Sequence, residues 1–176
     1  LMHARTQERG KEAQEYIISQ SGNQDIGLFI CDLADLNAVR EMANKINLQY
    51  PQIDVLINNA GIITSKRKET AQGYEYQFGV NHLSHFLLTQ LLIGKLRKSQ
   101  SGRIINVSSI AHTGGEIKFE DINLTSNFSS MGAYSQSKLA NILFTNELCR
   151  RLNPEGITAN CLHLGVVGTR FAHSRD

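Results

Sequence analysis

Tyr134 and Lys138 stand four residues apart in Gly132-Ala-Tyr-Ser-Gln-Ser-Lys138. On a helix, residues i and i+4 share a face, so the lysine ammonium comes close to the phenol. A nearby cation favours the phenolate, and a phenol with a pKa of about 10 needs that help to act as a general acid or base near neutrality. Alone the pair is weak, because a solvated helix face shows the same spacing. A second hydroxyl turns the reading toward chemistry: Ser109 closes the apolar run Arg103-Ile-Ile-Asn-Val-Ser-Ser109 upstream.

These residues need a scaffold, and strand-like apolar segments alternating with helical ones predict a parallel α/β sheet. Strands are expected at 1–4, 26–31, 54–57, 103–107 and 158–162, and helices at 7–19, 37–49, 74–96 and 134–152. The helix over 37–49 is amphipathic, with Val39, Met42, Ala43 and Ile46 on one face, and Pro51 ends it. A polar loop of about two dozen residues separates Ser109 from the helix that carries Tyr134. No repeat, low-complexity tract or linker divides the chain, so a single domain over 1–176 is expected.

Near-continuous apolar runs imply strands covered on both faces, as in doubly wound sheets. Each run ends in polar or small residues: Asp32-Leu33, Asn58-Asn-Ala-Gly61, Ser108-Ser109 and His163-Leu-Gly165. In open parallel sheets the carboxyl ends of the strands form the ligand crevice, so these residues converge on one edge. Asn58 and Asn59 fit a turn, since Asn tolerates left-handed backbone, and fit equally the close backbone approach of a flat ligand.

Composition excludes other classes. The 176 residues are 41% hydrophobic and 19% charged, an ordinary globular balance long enough for a substantial core. A net charge of +2, without a basic block interleaved with aromatics, gives no nucleic-acid partner. No apolar stretch reaches the roughly 18 residues of a membrane span, and no signal peptide opens the chain. Cys31, Cys149 and Cys161 are odd in number and scattered, which fits reduced thiols in an intracellular, reducing compartment. The sequons at Asn106, Asn123 and Asn127 read as incidental, Asn106 lying inside a strand-like run. His82 and His85 have metal-chelating i, i+3 spacing, but no carboxylate or thiol cluster accompanies them. Helix packing is the better reading, and no metal is expected.

Assembled in order, several motifs resemble the short-chain dehydrogenase/reductase family, retinol dehydrogenase-like branch. They are Ala-Arg-Thr at 4–6, Asp32-Leu33, Asn58-Asn-Ala-Gly61, Gly79-Val-Asn-His-Leu-Ser-His-Phe86, Asn106-Val-Ser-Ser109, Ala133-Tyr-Ser-Gln-Ser-Lys-Leu-Ala-Asn141 and His163-Leu-Gly-Val-Val-Gly-Thr169. The resemblance covers nearly the whole chain. It implies that Tyr134 exchanges a proton with the substrate oxygen, that Lys138 lowers the tyrosine pKa and bonds the nicotinamide ribose, and that Ser109 polarises the substrate. Asn81 would hold a water linking Lys138 to solvent. Asp32 and Leu33 would contact adenine, Asn58, Ala60 and Gly61 would line the adenosine ribose side, and Thr169 would bond the nicotinamide carboxamide. Arg5 follows the strand whose end reads the adenosine ribose, with no acid immediately beside it, and this favours NADP over NAD.

The chain also departs from the family pattern. No Gly-x-x-x-Gly-x-Gly follows a strand near its start, and the match begins within the family's second strand. Leu164 stands where the family usually has proline. The resemblance therefore implies a Rossmann-like doubly wound parallel sheet truncated at both ends, an incomplete dinucleotide-binding domain. The leading expectation is an NADP-dependent oxidoreductase acting on an apolar alcohol or carbonyl compound such as a retinoid or lipid aldehyde. The alternatives are an inactive family member with a binding or regulatory role, or an epimerase or dehydratase using tightly held NAD. The expected partner is a small apolar substrate, with room for a homo-oligomer. Localisation is expected in the cytoplasm or on the cytosolic face of a membrane, reached only through segments beyond the two ends.

Overall fold

The structure is a computed structural model that describes residues 1–165. Five parallel strands alternate with helices. β1 (Met2–Ala4) leads to α1 (Gln7–Ser21), β2 (Leu28–Ile30) to α2 (Leu36–Gln49), and β3 (Val55–Asn58) to a long interrupted helix. β4 (Arg103–Val107) precedes α5 (Ser130–Leu152), and β5 (Thr158–Leu162) follows it. The strands form two parallel groups, β1-β2 and β3-β4-β5. In the doubly wound order 3-2-1-4-5-6 these are positions 3-2 and 4-5-6. β1 and β3 pair neither with each other nor with another described strand on their facing edges. Between them runs a largely apolar groove of about 440 Å³, lined by Phe29, Ile53, Val55, Ile57 and Leu92 among others.

Two clusters of buried side chains hold the layers. Val39, Met42, Ala43 and Ile46 of α2 pack with Phe29, Cys31, Leu33 and Leu92, as the amphipathic pattern requires. Ile104, Phe144, Leu148, Leu152, Ile157 and Ala159 pack α5 against β4 and β5.

Three elements differ from the sequence reading, each at a cap or a helix irregularity. The helix over 74–96 is not continuous. Glu75 caps α3 (Tyr76–Phe78) by accepting from the backbone N–H groups of Gln77 and Phe78. A π-helical turn, Gly79–Leu83, then joins it to α4 (Ser84–Leu96). Gly79 is needed there because a Cβ would lie 2.3 Å from the Thr70 methyl. The helix carrying Tyr134 begins at Ser130, not at Tyr134, because Ser129 caps it through the N–H of Gly132 at 3.0 Å. Finally, the polar loop before it contains two 3₁₀ turns, Ile110–Gly114 and Phe119–Asp121. Gln136 of α5 pins that loop, accepting from the Lys118 N–H at 2.9 Å and donating to the Ile122 carbonyl at 3.0 Å.

Candidate active site

Ser108 and Ser109 end β4 and do different work. Buried Ser108 ties the strand to α5, its hydroxyl donating to the Lys138 carbonyl at 2.7 Å. Ser109 caps the first 3₁₀ turn, accepting from the Ala111 N–H at 3.3 Å, and its hydroxyl hydrogen-bonds the Tyr134 phenol. That turn lies close against α5: a Cβ on Gly115 would come within 2.6 Å of the Ser135 carbonyl oxygen. Glycine at 115 therefore allows the turn to lie this close to α5.

Tyr134 and Lys138 occupy one face of α5, as their spacing requires. The Lys138 ammonium lies over the Tyr134 ring, 5.6 Å from its centre, and donates to the Val107 carbonyl at 3.0 Å. Lysine 138 is almost wholly buried, and burial pulls its pKa down from 10.5 to about 8, with the Cys161 thiol opposing the change. It remains largely cationic at neutrality. Burial also raises the Tyr134 pKa, and the Ser109 hydrogen bond opposes that rise. Desolvation is the larger influence on the phenol, because the ring itself is half-buried.

Asn81 sits in the π-helical turn. Its side chain accepts from the Ile62 N–H at 2.8 Å and donates to the Ile62 carbonyl and the Ser137 hydroxyl, at 3.0 and 3.1 Å. It thus fixes the loop that follows Gly61. Its own carbonyl receives Asn141 Nδ2 at 3.0 Å and the His85 ring at 3.1 Å. Both lone pairs are taken, so a water on this carbonyl would replace one of those contacts.

The cleft is about 470 Å³ and is lined by Asn59, Ala60, Gly61, Val107 to Ser109, Tyr134, Lys138 and 163–165. Ala60 and Gly61 thus share a cavity with Ser109, Tyr134 and Lys138. Asn58 lies beneath it, nearly fully buried. Its amide donates to Thr89 Oγ1 at 3.0 Å and to Asn106 Oδ1 at 2.8 Å. Asn106 in turn donates to Thr145 at 2.8 Å, so a polar ladder crosses from α4 through the sheet to α5. The Asn58 Oδ1 atom is buried without a partner. Arg5 is exposed just past β1. Asp32 is exposed after β2, its carboxylate accepting from the Ala34 N–H at 2.9 Å, and the Leu33 side chain is committed to the core. Thr169 lies outside the described residues.

His82 and His85 are packing residues: the first bonds Asn141, the second the Asn81 carbonyl, and burial lowers both pKa values, that of His85 to about 3. Among the described residues, no group of three or more His, Cys, Asp or Glu side chains could hold a metal. None of the described helices is long and apolar enough to cross a membrane.

The arrangement suits a nicotinamide cofactor in part. Small residues Ala60 and Gly61 allow close approach of a flat group, and Ser109, Tyr134 and Lys138 offer a proton donor, an acid/base and a cation along one wall. The sequence reading missed Asn141, although Tyr134, Lys138, Asn141 and Thr145 fall at i, i+4, i+7 and i+11 on α5. A polar stripe at helical spacing inside an otherwise packed helix was the available signal.

The sequence profile of the short chain dehydrogenase family matches residues 1–176. The chain is 46% identical to human retinol dehydrogenase 13 over 172 residues, 97% of this chain and 52% of that protein. It is 51% identical to mouse retinol dehydrogenase 14 over 140 residues, 80% of this chain and 42% of that protein. The chain thus spans about half the length of the curated relatives it matches. Among solved structures, an uncharacterized protein from Mycobacterium paratuberculosis superimposes with a TM-score of 0.79 at 39% identity, covering 98% of this chain and 60% of that one. A short chain dehydrogenase from Escherichia coli CFT073, complexed with NADPH, superimposes with a TM-score of 0.74 at 26% identity, covering 97% and 67%.

Proposed function

The chain belongs to the short-chain dehydrogenase family, and from that premise we propose that it carries the catalytic half of an NADP(H)-dependent oxidoreductase for apolar alcohols or carbonyl compounds. The observation that carries this reading is the convergence of Ser109, Tyr134 and Lys138 on one cleft at the carboxyl ends of the strands. The two relatives named above are retinol dehydrogenases, which supports a retinoid or similar lipid aldehyde as substrate. The NADPH held by the E. coli neighbour, together with Arg5 past β1, supports NADP over NAD. Three free thiols fit a reducing compartment.

When bound, the nicotinamide dinucleotide supplies or accepts the hydride. The residues of this chain handle the substrate oxygen. Tyr134 donates a proton to that oxygen during reduction and removes it during oxidation. Ser109, bonded to the phenol, holds the same oxygen and keeps the ring oriented. Lys138 places a positive charge over the tyrosine ring and is the group that would bond the cofactor ribose. Ala60 and Gly61 would line the adenosine ribose side, and Asn81 fixes their loop through Ile62. Arg5 and Asp32 would face the adenosine end. The test is retinaldehyde reduction by the protein spanning the full length of its relatives, with NADPH and NADH compared. Turnover with NADPH is expected; no turnover with either cofactor on any apolar aldehyde or alcohol would overturn the reading.

A further inference from the structure

The Lys138 ammonium is seated by a carbonyl of another element, Val107 at the end of β4. What holds that carbonyl is visible one turn further along α5. Asn141 is 2% exposed and directs Nδ2 to two acceptors, the Asn81 carbonyl at 3.0 Å and the same Val107 carbonyl at 3.4 Å. Its Oδ1 meets His82 Nδ1 at 3.0 Å. Two carbonyl oxygens can only accept, so the amide must turn its N–H groups to them. Its oxygen must then accept from His82, which requires the proton on Nδ1. A reversed amide would set three oxygens against one another.

We propose that Asn141 is the positioning residue of Lys138: its amide clamps the Val107 and Asn81 carbonyls together, fixing the seat of the ammonium, and His82 sets the orientation of that amide. The π-helical turn, the end of β4 and the catalytic face of α5 are thereby joined through one side chain. The clamp stands without any assumption about the reaction, while its catalytic meaning rests on the oxidoreductase reading. His82 suits the task because burial disfavours its charged form and aromatic rings cage it, with Phe78, Phe86 and Phe144 at 5.2, 6.2 and 5.9 Å between ring centres. The titratable groups facing Lys138 are Tyr134 on its own helix, His85 from α4 and Cys161 from β5. The Val107 carbonyl receives the ammonium, and Asn141 reaches that same carbonyl.

The experiment follows the Lys138 titration by the NMR signal of its ε-carbon, without substrate or cofactor. Asn141→Asp replaces an amide N–H with a carboxylate oxygen at the seat and is expected to raise the Lys138 midpoint by about 1 unit or more. His82→Phe keeps the aromatic packing and removes the donor; a shift of about half a unit is expected, and none when Asn141 is already leucine, because the two residues act in series. An unmoved midpoint in Asn141→Asp, or a His82→Phe shift that persists beside Asn141→Leu, would overturn the clamp. Should Asn141→Asp not fold, the His82→Phe comparison decides. Inactive protein with the coupling intact would sink the oxidoreductase reading alone, and active protein without the coupling would sink the clamp alone.

Discussion

Lys138 sits over the ring of Tyr134, 5.6 Å from its centre, in a place where burial has brought its pKa down from 10.5 to about 8. Desolvation thus acts on both members, pulling the ammonium pKa down and pushing the phenol pKa up. A dry pocket strengthens each charge that develops inside it, which is what a proton transfer to a substrate oxygen requires.

The same burial predicts how stability depends on pH. Lys138 has a lower pKa folded than unfolded, so unfolding takes up a proton between about 8 and 10.5, and stability rises with pH through that window. Cys31 runs the other way: burial raises its thiol from 9.0 to about 11, so stability falls as pH rises above 9.0. Urea titrations should therefore show stability rising between pH 8 and 9 and levelling between 9 and 10. Lys138→Met should abolish the rise, and Cys31→Val should extend it to higher pH. A flat profile in the native sequence would contradict both assignments.

Gly115 offers a test of how Ser109 is placed. A Cβ at this position meets the Ser135 carbonyl at 2.6 Å, and backbone cannot yield as a flexible side chain does. Gly115→Ala should destabilise the protein by about 1–3 kcal/mol and push the 3₁₀ turn away from α5. Gly114→Ala, with nothing within 4 Å of its Cβ, is the control and should be nearly neutral. Denaturation midpoints compare the two, and equal effects would show that the close approach does not position the turn.

Cofactor choice turns on Arg5. A guanidinium can bind a phosphate through paired, charge-assisted hydrogen bonds. Arg5→Ala in the protein spanning the full length of its relatives should weaken NADPH binding by about 10-fold to 100-fold and leave NADH nearly unchanged. Cofactor fluorescence titration reads this directly. Equal losses for the two cofactors would remove Arg5 from the 2′-phosphate.

Much of the fold was legible in the sequence because strand runs and helix faces repeat at different periods. The five strands and the amphipathic stripe of α2 follow from that difference, and the polar strand ends pointed to the edge where Ser109, Tyr134 and Lys138 meet. What was not legible depends on partners distant in the chain. Glycine at 79, the first residue of the π-helical turn, leaves room for Thr70, 9 residues away, whose methyl a Cβ would meet at 2.3 Å. Asn58 reads as a ligand-facing residue at a strand end, yet its amide is spent on Thr89 and Asn106, a ladder that appears only when β3, β4 and α4 are packed. The i, i+4 spacing placed Lys138 beside Tyr134, but spacing carries no information about solvent, and burial is the main influence on their acidities.

The central claim is that Tyr134 transfers the proton, and one substitution tests it. Tyr134→Phe removes the hydroxyl and leaves the ring beneath Lys138, so packing and the ammonium seat should persist. In the protein spanning the full length of its relatives, single-turnover reduction of retinaldehyde by NADPH should slow by about 10²-fold to 10⁴-fold, the contribution of a positioned acid or base, with NADPH binding little changed. A single-turnover rate within about twofold of the native protein would contradict the account, since no positioned acid at Tyr134 would then be contributing.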